Sequence, residues 1–202
     1  VSTGPQGRAG RLWLRQRITA AEAALDLLER KLAILRDEQG RLHRLADRTG
    51  GEWRRRCREA DRLLVRAALL GGRRVLPLAA TGEQAGLTVE HATLMGVSYP
   101  GRIRFEVADR PAPSPSGIAL APARRACRAA LDAACAHAAA AAAAATVDAE
   151  VAATRQRIRA VERRRLPTLR AALGRIEVAL EEREREDGAR LRLIAGHGDR
   201  GR

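Results

Sequence analysis

Two long stretches of this chain carry an apolar residue every three or four positions, and little else is left from which to build a core. The first stripe is Ile18, Ala21, Leu25, Leu28, Leu32 and Leu35. It continues through Gln39, Leu42, Ala46, Thr49 and Trp53 to Cys57, Ala60, Leu64 and Ala67. The second is Val151, Thr154, Ile158 and Val161, then Leu169, Leu173, Ile176 and Leu180, with Arg165 at the intervening position. Spacing of this kind is the heptad pattern of an amphipathic helix. Each stripe is too narrow to close a globular core, but two paired antiparallel satisfy one another. The predicted fold is mainly α: a long antiparallel two-helix coiled coil formed by the N- and C-terminal helices, with a small β-hairpin-containing insertion. Its core is expected at Ile18, Leu25, Leu28, Leu32, Leu35, Leu42, Trp53, Leu64, Ile158, Val161, Leu169, Leu173, Ile176 and Leu180. Residues 1–70 and 118–202 make one discontinuous shaft domain, and 71–117 the insertion.

Gly50-Gly51 interrupts the first stripe without shifting its phase, so a weak point or kink is expected there, at roughly 2 kcal/mol against alanine. The alanine-rich part, roughly 123–146, has high helix propensity and small side chains that let a neighbouring helix approach closely. Aligning the stripes end to end places Ile18 near Arg183, Leu25 near Ile176 and Leu32 near Leu169, with 131–145 against 55–69. Pro167 removes one helix hydrogen bond and is expected to bend the last helix.

Gly71-Gly72 ends the first helix, and the character then changes. "IRFEV" at 103–107 alternates apolar and charged residues as a half-buried strand does, and "LTVEH" at 87–91 alternates similarly. "DRPAPSPSG" at 109–117 reads as a linker. The net charge of +14 favours an acidic partner: nucleic acid, an anionic membrane surface or an acidic protein. Lys31 is the lone lysine, and because codon bias would produce the same arginine excess, that excess is discounted as a phosphate signal. Cys57, Cys127 and Cys135 are an odd count without metal-like spacing and read as free thiols. The opening "VSTGPQGRAGR" has no apolar region of a signal peptide, and the alanine run 138–145 is too short to span a bilayer. A soluble or membrane-peripheral protein is expected.

No catalytic motif is visible. There is no Walker-type phosphate loop, GxSxG or HExxH, and His43, His91, His137 and His197 are scattered. No cofactor and no metal are expected. "EEREREDG" at 181–188 reads as a solvated helix laced with i,i+4 pairs. Trp53 lies on the stripe and is expected in the core. Trp13 lies one residue off it and is expected to meet a partner.

Several segments resemble one family. "P-x-x-x-x-x-R-L-x-L-R-x-R-I" from Pro5 to Ile18, "ALDLLERKLAIL" at 24–35, "MGVSYP" at 95–100, "TRQRIRAVERRRLPTL" at 154–169 and "ALEEREREDGARLRLI" at 179–194 are similar, in that order, to the D subunit of the V-type and archaeal A-type rotary ATPases. Ala23 and Ala24 stand where that family often carries glycine. The resemblance implies a non-catalytic central rotor shaft, transmitting torque between ATP hydrolysis or synthesis and proton or sodium translocation. It implies as partners the catalytic hexamer of A and B subunits, the small F subunit of the stalk, and a funnel-shaped subunit leading to the membrane ring. It implies a cytoplasmic location at the membrane face, without membrane insertion. Arg11, Trp13, Arg15, Arg155, Arg157, Pro167, Met95, Val97 and Pro100 are the expected partner contacts. The alternative is a basic coiled-coil protein that binds nucleic acid or scaffolds a complex; charge spread along both helices and the absence of a DNA-reading motif count against specific nucleic-acid binding.

Overall fold

The computed structural model describes residues 6–72, 74–79, 85–106 and 120–198. Helix α1 runs Gly7–Gly71, short α2 Val75–Ala79, strands β1 and β2 Gly86–Leu94 and Val97–Glu106, and α3 Leu120–Ala160. A π-helical turn, Val161–Arg165, joins α3 to α4, Leu166–Gly198. The expected class holds: long helices from both ends of the chain with an antiparallel hairpin between them in sequence. The chain forms two compact units, Val1–Leu32 with Ala153–Arg202, and Ala33–Ala152.

In the first unit the start of α1 lies antiparallel to the last helix. Arg8 bonds Glu184, Arg15 bonds Glu177 at 2.8 Å, and Arg170 bonds Glu22 at 2.8 Å. Seven residues up one helix match seven down the other, which is the heptad step. Leu14, Ala21, Leu32, Thr154, Ile158 and Leu166 are buried along this seam. Ile18, Leu25, Leu28, Val161, Leu169, Leu173, Ile176 and Leu180 are half-buried. A pair of helices has no third layer, so most seam residues keep one side in water. The ladder corrects the expected register: it puts Leu25 level with residue 167 rather than Ile176, because Glu22 pairs with Arg170. End-to-end stripe alignment had no way to fix this offset, since apolar spacing carries no information about which flanking charges meet. Beyond Leu180, Leu191 is exposed.

The π-turn explains an oddity of the second stripe. Leu166 N–H donates to the Val161 carbonyl, a span of five residues. A regular α-helix through this stretch would carry the seam from Val161 to Arg165. The wider turn carries it to Leu166, which is buried, and leaves Arg165 exposed. The helix widens locally just before Pro167, where a bend was expected. The proline ring would otherwise meet the carbonyl four residues back. Thr168 Oγ1 donates to the Arg164 carbonyl at 2.7 Å, adding a donor beside the one Pro167 lacks.

In the second unit α1 pairs with α3, and alanine forms the seam. Ala60 packs with Ala126 and Ala130, flanked by Cys57, Leu63 and Cys127. Leu35, Leu42, Ala67, Ala139, Ala140, Ala143, Ala144, Val147 and Val151 are buried, and Leu64 half-buried. One window of the helical stretch Leu120–Leu193 is apolar and long enough by composition to cross a membrane, with mean hydropathy 1.4. This exceeds the expectation from the alanine run alone, because the surrounding residues are also mostly apolar. Part of that apolarity is spent on the seam.

α1 runs unbroken through Gly50-Gly51, in keeping with the stripe that holds its phase across them. Gly50 is buried, and a Cβ there would stand 3.0 Å from His137 Cε1, whereas a Cβ on Gly51 would meet nothing within 4 Å. His137 stacks on Trp53, ring centroids 5.4 Å apart. Trp53 is therefore not a core residue: it is 36% exposed. An indole is too large for a seam set by alanine, so it lies over the imidazole at the margin.

The hairpin pairs Leu87 with Phe105, Val89 with Ile103 and Leu94 with Val97. Met95 and Gly96 turn it, both at positive φ (51° and 79°), the geometry of a tight two-residue loop that glycine enters freely and methionine at a cost of about 1 kcal/mol. A bulge at Glu90/His91 leaves Gly101 unmatched, and a Cβ on Gly101 would press the Ala92 Cβ at 3.2 Å. Ile103 and Phe105 are half-buried as expected, but Leu87 and Val89 on the neighbouring strand are exposed. Val107 and the 109–117 linker lie outside the described residues.

Candidate interaction surfaces

The built polar feature of the second unit ties β2 to α1. Tyr99 is buried, and its hydroxyl donates to Glu38 Oε1 at 2.8 Å. Arg41 donates to both oxygens of the same carboxylate, at 2.6 and 2.7 Å. The bidentate guanidinium holds Glu38 below the usual carboxylate range against the opposing effect of burial, and the Tyr99 hydroxyl adds to it. Burial first, then the Glu38 carboxylate, pushes the Tyr99 phenol up. Between hairpin and helices lies a cleft of about 540 Å³, with Ile103, Phe105, Leu45 and Ala140 among its lining and Arg102, Arg104 and Asp132 at its polar positions. A second tie joins α1 to α3: Asp148 accepts from Gln39 at 2.7 Å and contacts His43 Nε2 at 2.9 Å, and both hold its pKa down.

The expected partner contacts are divided between the two units. Trp13 is 38% exposed, with the Arg17 guanidinium over its ring at 5.4 Å. Arg11 is half-buried; Arg15 is exposed but engaged by Glu177. Met95 is exposed at the hairpin tip, with Val97 and Pro100 half-buried in β2. Arg155, Arg157 and Pro167 are exposed near the π-turn. Within the first unit the ladder sets Arg11, Trp13 and Arg15 level with residues 177–181, away from Arg155, Arg157 and Pro167. Among the described residues no group of three or more His, Cys, Asp or Glu could hold a metal. The three cysteines are free, and burial pushes the Cys127 and Cys135 thiols up, so neither is an activated nucleophile.

Residues missed in the sequence are as informative. Arg163, Arg164 and Arg165 stand side by side and exposed on the π-turn. Their signal was the five-residue step from Val161 to Leu166. Leu14 extends the first stripe one step before Ile18 and is buried. Tyr99 and Glu38 could not have been paired, because nothing in either segment names the other.

Long helices pair within each unit, and Tyr99 pins the hairpin to α1 in the second. Residues 12–196 match the family described as the ATP synthase D subunit. The V-type ATP synthase D subunit of Anaeromyxobacter sp. (strain Fw109-5) is 33% identical over 195 residues, covering 93% of this chain and 91% of its own. The V-type ATP synthase D subunit of Anaeromyxobacter dehalogenans (strain 2CP-C) is 34% identical over 204 residues, covering 95% of each. The chain belongs to the ATP synthase D-subunit family, and so is a non-catalytic stalk component of a rotary ATPase complex.

Proposed function

We propose that this chain is the central rotor shaft of a V-type or A-type ATPase. It transmits torque between ATP hydrolysis or synthesis in a hexamer of A and B subunits and the translocation of protons or sodium ions in a membrane sector. The observation that carries this is a family match spanning residues 12–196 of a chain built as paired long helices. A shaft must resist twisting while offering a surface that slides. The apolar seam and its flanking ion pairs, such as Arg15–Glu177, supply the stiffness. Arginines off the seam keep the outer surface polar. The small F subunit of the stalk and the funnel-shaped subunit of the membrane ring are its further partners, at the cytoplasmic face of the membrane.

The test is reconstitution. A bead fixed to this chain in a complex with the immobilised hexamer should turn in one direction when ATP is added. The isolated chain should hydrolyse no ATP. A complex in which ATP turns over while the chain stays still refutes the rotor reading.

A further inference from the structure

Arginine is common on this surface, but most arginines with a carboxylate in reach use it: Arg8, Arg15, Arg41, Arg55, Arg56, Arg104, Arg170, Arg185 and Arg190 all form ion pairs. The stretch 155–165 differs. It holds six arginines and one carboxylate, Glu162. Arg155, Arg159, Arg163, Arg164 and Arg165 are all exposed, and none has an ion pair among the described residues. Asp26 and Glu29, exposed carboxylates on the α1 segment of the same unit, make no ion pair with them.

The backbone makes this arrangement possible. On an uninterrupted α-helix Arg165 would lie on the seam below Val161. The five-residue step to Leu166 turns it outwards beside Arg163 and Arg164. Three successive α-helical positions spread over roughly 200° of the circumference. A π-turn advances each residue by less, so the three guanidinium groups fan over about half of it. A bilayer offers its phosphates from one side and would meet only part of such a fan, and no DNA-reading motif accompanies it in the sequence. Carboxylates that approach from around the helix meet all of it.

We propose that Arg163, Arg164 and Arg165 form a cationic collar that engages carboxylate-bearing segments of a protein ring surrounding this part of the first unit, with Arg159 and Arg155 extending it by one and two turns. This rests on the rotor reading, which supplies the ring; the collar assigns the contact and its chemistry.

The experiment compares affinities of full-length chains for the reconstituted A/B hexamer at about 0.1 M and about 0.5 M salt. Replacing Arg163, Arg164 and Arg165 together by Gln should weaken binding about 10- to 100-fold at the lower salt, and the gap should shrink at the higher. Replacing them by Lys should restore most of the loss. Replacing Arg54, Arg58 and Arg62 by Gln removes the same charge from exposed residues without ion pairs on the other unit, and should change affinity less than about threefold. Circular dichroism should show unchanged helicity in all variants. Failure of the wild-type chain to bind the hexamer would refute the rotor reading and the collar together. Binding by the wild type, with affinity unaffected when the three collar arginines become Gln, would overturn the collar alone. So would a collar variant that keeps its hexamer affinity but loses binding to duplex DNA or to phosphatidylserine vesicles, since the arginines would then serve phosphate.

Discussion

Adjacent glycines in the middle of α1 should respond to alanine with opposite signs. An alanine in a helix interior is worth about 1 kcal/mol over glycine. At Gly51 nothing lies within 4 Å of the added methyl, so Gly51→Ala should gain that amount in full. At Gly50 the methyl would stand 3.0 Å from His137 Cε1, 3.3 Å from Nδ1 and 3.5 Å from Nε2. The ring would have to retreat by a few tenths of an ångström. It is held by Trp53, stacked at 5.4 Å, and by Thr49 Oγ1 at 3.5 Å from its Nδ1. Overpacking of this kind costs about 1–3 kcal/mol, so Gly50→Ala should lose about 1 kcal/mol net. In a His137→Ala background the obstacle is gone, and Gly50→Ala should gain about 1 kcal/mol, as Gly51→Ala does. The coupling is therefore about 2 kcal/mol, well above the scatter of additive sites. Urea unfolding of the full chain, followed by circular dichroism in the far ultraviolet, measures each corner of the cycle. If Gly50→Ala stabilises the wild type as much as Gly51→Ala, or if removing the imidazole leaves its effect unchanged, close approach is not the reason for glycine at position 50.

Thr154 is fully buried and its hydroxyl has no hydrogen-bond partner among the described residues, so Thr154→Val should raise stability by about 1 kcal/mol in the same urea assay. A loss would mean that the hydroxyl is satisfied. The protein has one tyrosine, so the ultraviolet absorbance of its phenolate reports Tyr99 alone. Its folded pKa is raised, so its contribution to stability is complete below the unfolded value of about 10 and is lost as pH climbs through the folded value. Titration in the native protein at or below the value in urea would contradict the Glu38 contact. The partners Glu38 and Asp148 have the opposite sign: their pKa values are lowered, so their contributions are present above the ordinary carboxylate range and are lost as pH falls through the folded values. Acid unfolding of Asp148→Asn should accordingly be less steep than that of the wild type.

The helices and their antiparallel pairing were legible because periodicity is a local property, repeated often enough to survive a few misfits. Seven residues apart, Ile18, Leu25 and Leu32 announce a seam without reference to any partner. The register was not legible, because a heptad stripe is nearly indifferent to sliding. It is decided by flanking charges such as Glu22 with Arg170, whose match is visible only once the helices are side by side. Trp53 was misplaced for a related reason. The stripe marks a position as facing the partner but does not state the gap available, and the alanines opposite close that gap. The hairpin strands were readable from alternation, whereas the tie from Tyr99 to Glu38 was not: 61 residues separate them and neither segment has a pattern that points to the other.

The π-turn was written in the sequence twice, and the two causes can be separated. One is the step of five from Val161 to Leu166, which a regular helix could follow only by turning Arg165 into the seam. The other is Pro167, whose ring in a regular helix would press the carbonyl of Arg163 and cost about 3 kcal/mol. Pro167→Ala removes the second cause and leaves the first. A guanidinium on an apolar seam without a carboxylate loses its hydration with nothing in return, a penalty of several kcal/mol. The turn should therefore persist in Pro167→Ala. Deleting Arg164 does the reverse: it restores a four-residue step from Val161 to the leucine but puts the proline back against a carbonyl. Only the two changes together should give an unbroken α-helix, with slowed amide hydrogen exchange across 158–170 and a gain in stability over either change alone. Slow exchange in Pro167→Ala by itself, with Arg165 turned inward, would show that the proline is the sole cause and that seam phase has no hold on the backbone here.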